Sequence, residues 1–151
     1  MLCSFIVNQE INFYKKIYKK YYCKTPIKTF DGIEVVFYVS NFEHAFYESI
    51  NRRTKDKARF SYKRANRIYW IKWILQNPDA QLYVGYNSKR KNYDNSRRVA
   101  ICVDNYAIII GIDRKNRKKA KFITAYLADG INGKGEKAID LIRKSPKWIR
   151  S

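Results

Sequence analysis

Residues Arg98–Leu127 read RVAICVDNYAIIIGIDRKNRKKAKFITAYL, three apolar runs parted by two polar breaks. The runs Val99–Val103, Tyr106–Ile112 and Ala120–Leu127 are short and rich in Val, Ile, Tyr and Phe, side chains that fit a pleated surface. Their length and content favour strands over buried helix. Asp104-Asn105 is a two-residue break suited to the primed turns of hairpins, and Asp113–Lys119 is a longer loop with five basic residues in seven. A meander this apolar cannot face water on both sides, so the rest of the chain must cover one of them. Strict alternation puts Ile123 and Ala125 on the covered face and Phe122, Thr124 and Tyr126 on the open one.

The segments upstream supply the cover. Residues 8–22 place Ile11, Tyr14, Ile17 and Tyr21 on one helical stripe with lysines opposite. After a loop at Thr25–Asp31, Ile33–Tyr38 reads as a strand. Ser40 with Glu43 fits a capping box opening a helix to about Ile50. Ser61 fits a second N-cap, opening a long helix over Tyr62–Asn77 that Asn77-Pro78-Asp79 stops. Gln81–Tyr86 is a further strand, Ser88–Arg98 a basic hairpin loop or irregular connection, and Glu136–Ser151 a short helix or coil. The expected fold is α+β in a single domain over 1–151: helices in about 1–77, sheet in about 81–128 and a tail over 129–151. The helices pack on one face of a four- to five-stranded, mostly antiparallel sheet.

The charge is the strongest functional signal. A chain of 151 residues with a formal net charge of +19 repels itself, and an acidic partner relieves that. Nucleic acid, an acidic protein inhibitor and an anionic membrane surface are the candidates; an A/T-rich coding bias explains lysines better than arginine clusters. No signal peptide is legible in MLCSFIV, and no apolar run is long enough to span a bilayer, so a cytoplasmic protein is expected. Cys3, Cys23 and Cys102 are odd in number and widely spaced, and with a single histidine they suggest no zinc site or disulfide framework. No P-loop, GxGxxG, HExxH or GxSxG occurs, and the carboxylates are scattered, so neither metal nor cofactor is expected.

Such a chain can still act on RNA, which carries its own nucleophile in the 2′-OH. The protein needs a base, an acid and cations for the phosphorane charge. His44 titrates in the working range and is the candidate base or acid, although a lone histidine in an aromatic helix is often a packing residue. Arg52, Arg53, Lys55, Lys57, Arg59, Lys63, Arg64 and Arg67 form a dense cluster, and Ser61 adds free N–H groups at a helix start. Arg97, Arg98, Arg117, Lys119 and Lys121 are further candidates to hold the backbone. Thr124 is either a cross-strand threonine or an active-site donor.

Five pieces, NFEHAFYES, RFSYKRANRIYWIKWIL, RRVAICVDNYAIII, FITAYLAD and KSPKW, span roughly residues 30 to 148. In order and spacing they resemble small phage-associated or toxin-like nucleases of the barnase–EndoU–colicin–RelE-like group. The resemblance implies N-terminal helices on an antiparallel sheet and a metal-independent ribonuclease acting on tRNA or mRNA. It implies catalytic roles for His44, Arg59, Ser61 and Thr124 and a 2′,3′-cyclic phosphate product. A second histidine that some relatives use is missing here. The alternatives are a module that binds RNA or DNA without cutting it, and a toxin held by an acidic antitoxin. Convergence of His44, Arg59 and Thr124 on one open face would favour cleavage; their separation would leave binding.

Overall fold

The meander forms where its residues require it. A computed structural model of the chain describes residues 4–49 and 59–149. In chain order it holds helix α1 (Ile11–Ile17), continued by a wider π turn (Tyr18–Cys23), and the short strands β1 (Ile27–Lys28) and β2 (Glu34–Val36). A 3-10 turn (Val39–Asn41) leads into α2 (Phe42–Phe46); β3 (Tyr47–Glu48), β4 (Arg59–Phe60), α3 (Tyr62–Ala65) and α4 (Ile68–Leu75) follow. Then come β5 (Gln81–Asn87), β6 (Asn92–Ile101), β7 (Tyr106–Ile112), β8 (Lys119–Leu127) and α5 (Ala138–Arg143). Six strands make one mixed sheet in the order β1-β2-β8-β7-β6-β5, and β3 with β4 makes a separate ribbon. Only β2 and β8 pair in parallel; the other pairings in the sheet are antiparallel. Asp104 and Asn105 both have positive φ, +52° and +56°, the type I′ geometry expected between β6 and β7.

Ala100, Ile108, Ile110, Ile112, Ala120, Phe122 and Ala125 share a core with α1, α2, α3, α4 and the π turn. The other face is not bare: Tyr83, Val99, Ile101 and Ala107 pack with Ile139 of α5. The helices are thus divided between both faces, which corrects the one-sided packing expected. The tail closes an edge, because Val84 N–H donates to Pro146 O (2.8 Å) and Trp148 N–H to Leu82 O (3.0 Å).

The face assignment changes with a β-bulge. Ile109 pairs with Thr124 but Ile110 pairs with Phe122, so Ile123 is an extra residue on β8. The alternation shifts phase there. Ala125 faces the helices as expected, Phe122 is buried beside Phe37 instead of lying open, and Ile123 turns outward over Gly111. Thr124 keeps the open face.

Other departures have local causes. Tyr14, Ile17, Tyr18 and Tyr22 are buried and Tyr21 is exposed, since the π turn keeps the i, i+4 series Tyr14–Tyr18–Tyr22 inward. The long helix breaks at Asn66-Arg67. The Asn66 side chain is buried; it accepts from the Tyr14 hydroxyl and donates to Asn8 Oδ1 at 2.6 Å, while the Asn66 backbone carbonyl accepts from Ile6 N–H. The Ser40–Glu43 capping box is absent: Asn41 stands at the N-cap of α2 without a side-chain cap bond. That helix ends at Phe46, where the chain enters the β3–β4 ribbon. Burial raises the thiol pKa of Cys23 and Cys102, with Lys19 opposing the rise at Cys23, and both are free. Among the described residues no helix is long and apolar enough to cross a membrane.

Candidate functional site

Strand β2 pairs with β8 only as far as Lys121, which leaves the rest of that edge of β8 without a strand neighbour. The Asn41 side chain takes the place: its Nδ2 donates to Phe122 O (3.0 Å) and Ile123 O (2.7 Å), across the bulge. His44 lies three residues on, on the same side of the helix as Asn41, so this anchor sets the imidazole beside the open face of the sheet. His44 is exposed there.

A row across three strands runs along this open face. Arg97 of β6 pairs with Gly111 of β7, and Gly111 pairs with Lys121 of β8. Two cations therefore flank a position with no side chain, with their backbones about 10 Å apart at two strand spacings. A Cβ on Gly111 would lie 3.2 Å from Ile123 Cδ1 and 3.6 Å from the Lys121 stem, so those side chains already lean over it. Gly85 serves the same row: a Cβ there would come within 2.7 Å of Arg97 Cβ. Tyr38, Ser40, Asn41, His44, Arg97 and Lys121 line a depression of about 370 Å³. It adjoins a larger one of about 700 Å³ through Tyr38, Arg97, Lys121 and Ile123, which Arg114, Lys115 and Lys119 extend. Together they make a groove rich in cations.

The larger depression also holds two carboxylates, both already engaged. Asp94 accepts from the Ser96 hydroxyl (2.6 Å) and N–H (2.9 Å) and pairs with Arg114 at 3.5 Å. The Ser96 bonds hold its pKa down to about 2. Asp113 accepts from the Asn116 and Lys115 N–H groups, which lower its pKa. Among the described residues no three His, Cys, Asp or Glu side chains gather in a way that would hold a metal ion.

Arg59, Ser61 and Arg64 belong elsewhere. They line a separate depression of about 630 Å³ with Glu48, Lys63, Tyr126 and Asp129. Arg59 is tied to Glu48 at 3.0 Å. Ser61 is buried, and its Oγ accepts from Arg64 N–H at 3.3 Å, so it is the helix cap expected. Arg64 Nη1 donates to the carbonyls of Ala45 and Tyr47, tying the end of α2; burial lowers its pKa against the opposing pull of Glu48. Lys63 faces Asp129 at 3.5 Å. Thr124 stands on β8 between Ile123, which lines the His44 groove, and Tyr126, which lines this second depression; it lines neither. The expected set of His44, Arg59, Ser61 and Thr124 therefore does not share one cavity.

Of the other basic candidates, Lys119 and Lys121 lie on the groove with Arg97. Arg117 donates to Asn95 O (2.8 Å) and lies 5.5 Å from the Trp148 ring. Arg67 lies over Phe5 and Trp70, each at 5.1 Å, and serves packing. Arg98 is fully buried and ion-paired with Asp31 at 2.7 Å, so it offers no surface charge, contrary to its expected role. Arg52, Arg53, Lys55 and Lys57 lie outside the described residues. Tyr38 and Gly111 were not singled out from the sequence. Comparison with protein-family models, curated proteins and solved structures returned no match.

Proposed function

We propose that this chain is a metal-independent endoribonuclease whose site is the groove of His44, Tyr38, Arg97 and Lys121. The observation that carries the reading is the row Arg97–Gly111–Lys121, whose two cations line one depression with His44. A phosphodiester laid over the glycine meets a cation on each side and a proton-transfer group beside it. His44 takes the proton of the ribose 2′-OH as O2′ bonds to phosphorus. The P–O5′ bond breaks and O5′ takes a proton from Tyr38. The products are a 2′,3′-cyclic phosphate and a 5′-OH end, and water restores both groups by proton exchange. Arg97 and Lys121 hold the charge that builds on the phosphorane. The resemblance to the barnase–EndoU–colicin–RelE-like group supports the reading, as does the arrangement of several helices behind a sheet with its groove in front. The sixth strand, the parallel pair and α5 on the groove side depart from the simplest form of that group.

A second reading, a module that binds RNA without cutting it, draws support from the separation of Arg59 and Ser61 from His44. The two differ in one assay. Labelled RNA and DNA of the same sequence are incubated with EDTA and with wild type or H44Q. Cleavage of RNA alone, ending in a cyclic phosphate and lost in H44Q, is expected. Intact RNA bound with salt-steep affinity contradicts cleavage and leaves the binding module.

A further inference from the structure

The pairing of β6 with β7 stops at Arg97 opposite Gly111, yet β5 and β6 stay paired from Gly85–Asp94 out to Asn87–Asn92. A two-stranded ribbon thus projects beyond the sheet. Tyr86 and Tyr93 sit directly opposite each other on it, with ring centroids 5.4 Å apart at 77°. They are 52% and 47% exposed and belong to neither hydrophobic cluster. The turn beyond them, Ser88–Lys91, carries Lys89, Arg90 and Lys91, all exposed and none in an ion pair among the described residues. Asn87 Oδ1 accepts from the N–H groups of Lys89 (3.1 Å) and Arg90 (3.3 Å) and so fixes the turn. Lys91 has φ +54°, a conformation that glycine or asparagine adopts more cheaply.

A cross-strand tyrosine pair by itself helps hold a ribbon together. That role does not require three unpaired cations next to it, whereas the left-handed Lys91 follows from the tight turn itself. Half-exposed aromatic rings bordered by cations suit unstacked bases and their phosphates, whereas bases inside a duplex do not reach such rings. The ribbon also meets the groove: Asn87 and Asp94, on its other side, line the depression that contains Arg97.

We propose that the β5–β6 hairpin is a second contact for single-stranded nucleic acid, with bases stacking on Tyr86 and Tyr93 and flanking phosphates held by Lys89, Arg90 and Lys91. This extends the reading of the groove as an RNA site, and a strand reaching both crosses the edge of the ribbon.

The test measures binding of a labelled oligo-deoxythymidylate to the full chain by fluorescence anisotropy over a range of salt. This ligand has no 2′-OH and stays intact under the proposed chemistry. A DNA duplex of the same length is the comparison. Wild type prefers the single strand. Y86A/Y93A weakens single-strand binding roughly tenfold or more and removes that preference, and Y86F/Y93F preserves both. Y86L/Y93L, which keeps an apolar cover on the ribbon, behaves like the alanine variant. K89A/R90A/K91G lowers the salt slope by about 2. Wild-type affinity and preference in the alanine and leucine variants overturn the hairpin contact, even if RNA is still cleaved. Tyrosine-dependent binding by a chain that cleaves no RNA upholds the hairpin and refutes the cleavage reading. No binding of either ligand by wild type overturns the contact outright.

Discussion

At the scale of single residues, the groove depends on what Gly111 lacks. Its neighbours across the strands are Arg97 and Lys121, and the proposed sharing of a phosphate between them needs the position in the middle to stay low. Valine is at home in a strand, and the atom it would meet first is the flexible end of Ile123. G111V should therefore still fold, with a stability loss of about 1–3 kcal/mol, and cut RNA roughly a hundredfold more slowly, measured by urea unfolding and single-turnover cleavage below the unfolding range. Asp94 makes a prediction of a different kind. Its pKa in the fold, about 2, is below the ordinary value of 3.8, chiefly through the Ser96 hydroxyl. A depressed carboxylate stabilises the fold above its unfolded pKa, and that contribution is lost as pH falls through about 2. In S96A the carboxylate should titrate nearer 3.8, so less stability depends on its ionisation and the acid-linked loss between pH 3.8 and about 2 should shrink, as carboxyl NMR and acid unfolding would register. Arg98 shows why some residue-level readings failed: RR in the sequence looks like one patch, but strand alternation sends Arg97 to the groove and Arg98 into a buried pair with Asp31.

At the scale of elements, strand β8 decides the geometry. Its sequence KAKFITAYL could be read as a strand without a structure, with Ala125 on the covered face. The bulge at Ile123 could not, because nothing in the residue types marks the extra residue and strict alternation carries Phe122 to the wrong face. The meander, its type I′ turn and the Ser61 cap were legible because local chemistry fixes them. The break at Asn66 and the short α2 were not, since both rest on partners distant in sequence: Tyr14 and Ile6 for one, Arg64 for the other. His44 was legible as a candidate for its chemistry alone; Arg97 and Lys121 come to its cavity through strand register, and Tyr38 through the turn after β2. Asn41 ties the bulge to α2, so N41A should cost about 1–2 kcal/mol and slow cleavage beyond what that loss explains. Denaturant midpoints set beside single-turnover rates below the unfolding range would show whether the two effects separate.

At the scale of the whole molecule, the net charge of +19 finds an outlet in a cationic groove on the front of the sheet. Binding of RNA should weaken steeply with salt, and R97A/K121A should reduce the slope by about 1.4, two phosphate contacts' worth for a single strand. An unchanged slope would place those contacts elsewhere on the surface. Where the chemistry sits is decided by single-turnover RNA cleavage in EDTA across two sets of variants. H44A, R97A and K121A should each lose roughly a hundredfold or more, while R59A and T124A should stay close to wild type. The reverse ranking, or RNA left intact by the wild-type chain, would contradict chemistry in the groove.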